Sequence, residues 1–112
     1  KGIVITNLTY TELVTSRHSS GKKLKDCGDI VIDNCGEFED SSITLPGLEQ
    51  KMGPTSTVTG AYIVNAMAME CAVLLHERGI EVPMFHGANI DGGDEHNHAM
   101  LEKYKDRIHY MK

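Results

Sequence analysis

The sequence predicts an α/β fold built on a parallel sheet, and three observations support this. Two short apolar runs of β-branched residues, 2–8 and 29–34, have the character of strands buried on both faces. The intervening residues 11–28 are long enough for a crossover connection that contains a short helix. A long apolar segment, residues 58–78, follows a Pro-Thr-Ser-Thr sequence and ends at a glycine, as a buried helix does.

The first half of the chain is predicted to form one parallel strand–helix–strand unit. Residues 22–27 form the body of the crossover helix, which Ser19 or Ser20 would cap. The second strand stops at Asn34 and Gly36. Strands joined by a crossover of this kind lie parallel and adjacent in one sheet.

The long helix is predicted to be the buried centre of the domain. Thr55 or Ser56 caps its start and Gly79 ends it. Its body is apolar on nearly every side, so several neighbouring surfaces should cover it. Its longest apolar run, residues 61–75, is interrupted by two polar residues and is shorter than the ~20 residues of a membrane span. We therefore predict a buried helix of a cytoplasmic protein, with no membrane partner.

Two weaker elements complete the prediction. A possible edge strand lies at residues 42–45, inside an acidic and then Pro/Gly-punctuated stretch. A final helix begins near Asp91 or Asp94, either of which could cap it. It carries an apolar stripe at helical spacing: Leu101, Tyr104 and Ile108.

Composition excludes several classes of partner. The net charge of −5 and the pI near 5.6 argue against nucleic acid and acidic membranes. The three cysteines are odd in number and lack CxxC spacing, which indicates reduced thiols in a cytoplasmic protein. Residues 86–98 are rich in His and Asp but match no zinc or EF-hand spacing, so we expect neither a metal nor a cofactor.

The start of the chain suggests that more of the domain exists elsewhere. The sequence begins Lys-Gly-Ile rather than with Met, and it opens directly in a strand. Two parallel strands are too few, because sheets average about five or six strands. We expect the remaining strands from a missing N-terminal half or from another chain. The isolated chain should then be poorly stable or form homo-oligomers, because it has open sheet edges.

Polar residues gather where a parallel sheet usually binds ligands, beyond the carboxyl ends of its strands. Hydroxyls at a helix start attract phosphate through the helix dipole, although taken alone they are more often caps, because capping residues are so common. In the crossover, an arginine can hold an oxyanion and a histidine can move protons, although a surface turn fits the same residues. The candidate ligand-binding residues are Asn7, Ser16, Arg17, His18, Ser20, Thr55, Ser56 and Thr57.

At these residues the sequence resembles the second half of the sugar isomerase (SIS) domain. Residues 53–60 resemble the Ser-Thr helix start of arabinose-5-phosphate isomerases and of the isomerase domain of glucosamine-6-phosphate synthase. Combined with residues 16–21, 29–36 and 89–97, the pattern is similar to a bacterial subgroup of SIS proteins. That subgroup often has Pro at the position of Ser19.

The resemblance implies a three-layer α/β/α sandwich around a five-stranded parallel sheet. Residues 1–112 would be the C-terminal part of one phosphosugar-binding domain. It further implies dimers or tetramers with sites near subunit interfaces, which residues 89–97 of a neighbouring subunit could reach. The family's main phosphate-binding loop belongs to the first half of the domain, which is not in this sequence.

By resemblance, Ser56 and Thr57 match hydroxyls that lie close to the sugar phosphate. The leading hypothesis is a sugar-phosphate-binding protein, and more specifically an aldose–ketose phosphosugar isomerase. The family's catalytic glutamate has no clean match here, but Glu49 lies in its neighbourhood and is then the candidate base, with His18 the candidate ring-opening acid. The alternatives are a non-catalytic module that senses a phosphosugar or supports assembly, and a doubly wound domain whose helix start binds a nucleotide phosphate.

Overall fold

The computed structural model describes residues 1–109 and contains four strands and three α-helices within them. The strands are β1 (Ile3–Thr6), β2 (Ile30–Asp33), β3 (Ser41–Ile43) and β4 (Met52–Pro54). The helices are α1 (Leu8–Leu13), α2 (Ser56–Glu77) and α3 (Gly93–Tyr104), with short 3-10 helices at Leu24–Cys27 and Lys105–Arg107. The chain divides into two compact units, Lys1–Glu70 and Cys71–Lys112. This is a mixed α/β fold.

The predicted parallel pair of strands is confirmed. β1 and β2 pair in parallel, with Ile3 opposite Ile30 and Thr6 opposite Asp33. The β-branched side chains favour the extended backbone, and the pairing brings the carboxyl ends of both strands to one edge. Gly28 allows a close approach here, because a Cβ at this position would lie 2.8 Å from Val4 Cγ2.

The crossover between these strands differs from the prediction. It begins with α1, which was not predicted and which Asn7 caps by accepting the Tyr10 amide at 2.7 Å. The predicted helix at 22–27 is a single 3-10 turn. Its cap is the Asp26 carboxylate, which accepts the Lys23 amide at 2.8 Å, rather than Ser19 or Ser20.

A second small sheet follows the first within the same unit. The edge strand predicted at 42–45 is found slightly earlier, as β3, and pairs antiparallel with β4. The sheets described each have two strands, so a five-stranded sheet and a three-layer sandwich do not appear in residues 1–109.

α2 begins and ends where the sequence predicts. Thr55 precedes it, and its carbonyl accepts the first helical bond, from the Thr59 amide at 3.0 Å. Gly79 has a φ of +68°, and the Ile80 amide returns to the Leu75 carbonyl, so the last carbonyls are satisfied by an αL cap. The helix is long and apolar enough to cross a membrane, but a core helix of a globular protein meets the same criterion.

The prediction that α2 is buried is wrong for this chain. Val58 and Tyr62 are 72% and 73% exposed, and Met69 is 64% exposed. The only buried residue among 1–109 is Gly93. The physical reason is that two two-stranded sheets offer too little apolar surface to cover a 22-residue helix on several sides.

In the second unit, α3 appears where it was predicted, but its cap differs. Gly92, with a φ of +77°, precedes the helix, and neither Asp91 nor Asp94 caps it with its side chain. The predicted stripe is half-buried and joins other apolar residues around a groove of about 210 Å³, which is lined by Pro83, Met84, Phe85, Met100, Leu101, Tyr104 and Ile108.

Candidate functional site

The first unit has a cleft of about 420 Å³ at the carboxyl ends of the strands. Its walls come from the end of β1, the start of α1, the residue after β2 and the head of α2. The size suits a small ligand, and the lining mixes apolar side chains with amides, hydroxyls and a carboxylate. The lining residues are Ile5, Thr6, Asn7, Tyr10, Thr11, Val14, Asn34, Asp40 and Ser56.

Asp40 occupies the head of α2 and is the residue that the sequence analysis missed. Its Oδ1 accepts the Ser56 amide at 2.7 Å and the Thr55 amide at 3.2 Å, and its Oδ2 accepts the Ser56 hydroxyl at 2.7 Å. The carboxylate therefore sits where the helix dipole and the first amides would hold a bound anion.

The electrostatics of Asp40 follow from these bonds. The Ser56 hydroxyl, followed by the backbone amides of Ser56 and Thr55, holds the pKa of the Asp40 carboxyl below its ordinary value of 3.8. Asp40 also has a φ of +65° and follows Glu39 at +64°, in the left-handed region. Asp adopts this region more readily than most residues do.

Part of the helix head is not used by Asp40. Among residues 1–109, no carbonyl or side chain accepts a hydrogen bond from the amides of Thr57 and Val58. The Thr57 side chain is exposed. These two donors and the Thr57 hydroxyl therefore stay available to a ligand beside the Asp40 carboxylate.

Asn7 and Asn34 form the polar edge of the cleft above the strands. The Asn7 amide nitrogen donates to the Glu37 carbonyl at 3.1 Å, and the Asn34 side chain accepts the Gly36 amide at 3.0 Å. A Cβ at Gly36 would lie 2.9 Å from Asn7 Nδ2. The turn after β2 therefore needs glycine to bring its backbone against Asn7.

The crossover loop forms a turn that is closed on itself. The Ser16 hydroxyl donates to the Lys22 carbonyl at 2.7 Å and accepts the His18 amide at 3.1 Å. The Ser20 hydroxyl bonds to His18 Nδ1 at 2.7 Å. Arg17 is exposed, and none of residues 16–21 lines the cleft. The turn interpretation left open by the sequence accounts for these bonds.

Glu49 lies in a different depression. Its neighbours there are Phe38, Glu39, Gln50 and Lys51, and it is not among the residues that line the cleft with Asn7 and Ser56. The structure thus brings together Asn7 and Ser56 from the predicted site, with Thr55 beside them in the Asp40 network. It places Glu49 and His18 elsewhere.

The His-rich segment of the second unit is held together by ring stacking and side-chain hydrogen bonds, and we call it the clamp around His86. The His86 and His96 rings stack with centroids 3.8 Å apart, and His96 Nε2 donates to the Met84 carbonyl at 2.9 Å. The Asn97 side chain accepts the His86 amide at 2.8 Å and donates to the His86 carbonyl at 2.9 Å. No group of three or more His, Cys, Asp or Glu residues within 1–109 could hold a metal ion.

These features define a class: an α/β protein with a polar cleft at the carboxyl edge of a parallel strand pair. No family model matches the chain. The chain is similar to a UPF0309 protein of Shouchella clausii, with 47% identity over 109 residues, covering 97% of this chain and 44% of the relative. A UPF0309 protein of Oceanobacillus iheyensis matches with the same identity and coverage. One from Thermoanaerobacter pseudethanolicus is 39% identical over 113 residues, covering 99% of this chain and 46% of the relative.

The chain spans a little under half the length of these relatives. Their names specify neither a ligand nor a reaction. The resemblance to the sugar isomerase family therefore stays a prediction.

Proposed function

We propose that the cleft is one wall of a binding site for a sugar phosphate, in a protein related to the sugar isomerase family. The observation that carries this proposal is the position of the cleft. It lies beyond the carboxyl ends of β1 and β2, where parallel α/β sheets bind small ligands, and it continues onto the head of a long helix. A volume of about 420 Å³ accommodates a pentose or hexose phosphate.

The polar lining divides into a part for hydroxyls and a part for phosphate. Asp40 and Asn34 present oxygen and nitrogen atoms that suit sugar hydroxyls, which donate and accept hydrogen bonds. A phosphate in direct contact with the Asp40 carboxylate would be repelled, because both carry negative charge. The phosphate is therefore assigned to the amides of Thr57 and Val58, which Asp40 does not use, and the rest of its shell to the segment that the relatives carry outside the matched region.

The positions of the candidate acid and base favour binding without turnover. An isomerase needs a base beside the carbon that loses its proton and an acid beside the ring oxygen. Glu49 lies in a separate depression, and the His18 Nδ1 atom is engaged by Ser20 within its own turn. This favours the second candidate function, a non-catalytic module that senses a phosphosugar or supports assembly.

The test uses a chimera in which this chain replaces the matching 109 residues of the Shouchella clausii relative. Calorimetry would compare a panel of pentose and hexose phosphates with the matching free sugars and with inorganic phosphate. We expect the sugar phosphates to bind at least ten-fold more tightly than either fragment. Asn34→Ala should weaken this binding and Lys22→Glu, in an exposed loop, should not.

Turnover is measured on the same samples by following aldose–ketose interconversion with NMR. Binding without interconversion supports the module, whereas interconversion that is lost in both His18→Ala and Glu49→Ala supports the isomerase. Absence of binding to every sugar phosphate in the panel contradicts the proposal.

A further inference from the structure

The crossover turn holds a hydroxyl and an imidazole in hydrogen-bond contact, outside the cleft. The Ser20 hydroxyl oxygen lies 2.7 Å from His18 Nδ1. Both side chains are exposed, and neither lines the cleft at the strand ends. A separation of about 2.6–3.2 Å between a hydroxyl oxygen and a histidine nitrogen is typical of a nucleophile and its base. The pair therefore has the spacing needed for proton transfer from Ser20 to His18.

The neighbouring bonds fix the direction of this hydrogen bond. The backbone amide of Ser20 donates to the same Nδ1 atom at 3.2 Å. Because an amide N–H only donates, Nδ1 is the unprotonated nitrogen of a neutral ring, whose proton is on Nε2. The Ser20 hydroxyl therefore donates to Nδ1, and this makes His18 the acceptor of the Ser20 proton.

The backbone of the turn supports negative charge on the Ser20 oxygen. The Lys22 amide donates to this oxygen at 3.3 Å. The Ser16 hydroxyl accepts the His18 amide at 3.1 Å and donates to the Lys22 carbonyl at 2.7 Å. Ser16 thus connects the two residues that contact the Ser20 hydroxyl, and the pair is held in place before any reactant binds.

The charge around the turn indicates the class of reactant. Arg17 and Lys22 are exposed, and neither forms an ion pair with any other residue in the described range 1–109. Two such cations beside an open hydroxyl attract a small anion. A neutral base favours attack on an acyl carbon, because phosphoryl transfer has a loose transition state that gains little from a deprotonated nucleophile.

We propose that Ser20 is a covalent modification site that accepts an acyl group from an acyl phosphate, with His18 as the base. The Ser20 oxygen forms a bond to the acyl carbon while its proton passes to His18 Nδ1. The bond between that carbon and the bridging oxygen then breaks, and inorganic phosphate leaves with both bonding electrons. His18 returns its proton to the phosphate or to water, so the products are an acyl ester of Ser20 and inorganic phosphate. This reaction is independent of the sugar-phosphate site, because none of residues 16–21 lines the cleft.

The test uses acetyl phosphate as the probe and the chimera with the Shouchella clausii relative as the protein. Mass spectrometry of the intact protein measures the rate of acetylation, and tandem mass spectrometry of its peptides locates the acetyl group. We expect Ser20 to be acetylated at least about ten-fold faster than Ser19, which is also exposed and whose hydroxyl has no hydrogen bond within residues 1–109. Ser20→Ala should remove this acetylation.

Two further variants separate catalysis by the imidazole from support of the turn. Asn offers an oxygen acceptor in place of Nδ1 but is not a base, so His18→Asn should slow acetylation of Ser20 at least about ten-fold. Ser16→Ala removes two bonds of the turn but leaves the imidazole, and should slow the reaction by a smaller factor. Equal slowing by the two variants would show that His18 supports the turn without acting as a base.

Three other results would overturn the proposal. Acetylation confined to the amines of Lys22 and Lys23 would show that Ser20 is not the nucleophile. Equal rates at Ser19 and Ser20, or an unchanged rate in His18→Asn, would show that the imidazole does not activate the hydroxyl. Phosphorylation of Ser20 by the same probe, without acetylation, would identify phosphoryl transfer instead of acyl transfer.

Discussion

The head and the body of α2 are held in opposite ways. At the head, one carboxylate receives the amides of Thr55 and Ser56 and the Ser56 hydroxyl, so the helix start is fixed within this chain. Along the body, Tyr62 and Met69 remain 73% and 64% exposed. The same helix is therefore anchored by hydrogen bonds at one end and incomplete in its apolar contacts along its length.

The difference shows how far each kind of interaction reaches. Hydrogen bonds at a helix start need only a few atoms in the right place, and a short segment around Asp40 supplies them. Apolar burial is proportional to area, so a long helix needs whole neighbouring elements. The described residues therefore form the edge of a ligand site, although they do not bury an apolar core.

The largest effect is expected from a charge placed on the body of α2. In the chimera, Tyr62→Glu should lower the free energy of unfolding by at least about 3 kcal/mol, because it would bury an unpaired charge. Urea denaturation measures this. Lys22→Glu, the matched control, should change the free energy by less than about 0.5 kcal/mol. If the two variants are equally mild, the body of α2 is not covered in the longer protein.

The second prediction concerns the close backbone contact at Gly93 in the second unit. A Cβ at Gly93 would lie 2.3 Å from the Gly87 carbonyl oxygen, so Gly93→Ala should cost about 2–3 kcal/mol. Thermal unfolding of the chimera provides the measurement. Gly87→Ala is the control, since a Cβ there meets nothing within 4 Å. Equal stability of both variants would show that the clamp around His86 is not formed.

At the head of α2 the expected effect is smaller. Ser56→Ala removes the hydroxyl bond to Asp40 Oδ2 but keeps the amide bond, so the loss should be about 1 kcal/mol. Thr57→Ala changes an exposed neighbour and should stay within about 0.5 kcal/mol. Chemical denaturation of the chimera compares the free energies of unfolding of the two variants. Equal losses would contradict the role of Asp40 at the helix start.

The smallest effect concerns pH. The bonds from Ser56 and Thr55 lower the pKa of Asp40, so its contribution to stability is present above the ordinary Asp value of 3.8 and is lost as the pH falls through the lowered value. NMR titration of the Asp40 carboxyl carbon should give a pKa below 3.8. Ser56→Ala should move that pKa upward, and a pKa above 3.8 in the parent chimera would contradict the assignment.

Local signals predicted the elements that depend on local chemistry. The β-branched runs gave β1 and β2, and the Thr55-Ser56 start and Gly79 end of α2 lie where caps were expected. α1 was not predicted because it has only six residues, although Asn7 three positions before the Tyr10 amide is a recognisable cap.

The features that sequence reasoning could not reach are distant in the chain. Asp40 lies 16 residues before Ser56, and nothing in the local sequence indicates that a left-handed turn places its carboxylate at the helix head. The apolar composition of α2 predicted that other elements pack against it. Composition does not indicate which part of a protein supplies those elements. Of the predicted site residues, Asn7 and Ser56, at the strand edge and the helix start, line the cleft. His18 and Glu49 do not line it, because their positions depend on loops.

The most direct test of the account is an amide NMR titration of the chimera with a hexose phosphate. We predict chemical-shift changes at Asn34, Ser56 and Thr57, with no comparable change in residues 16–21 or 86–97. Free hexose should shift Asn34 and leave Thr57 unmoved, because the Thr57 amide is assigned to the phosphate. Shifts confined to residues 86–97, or none at saturating ligand, would contradict the placement of a sugar-phosphate site at the head of α2.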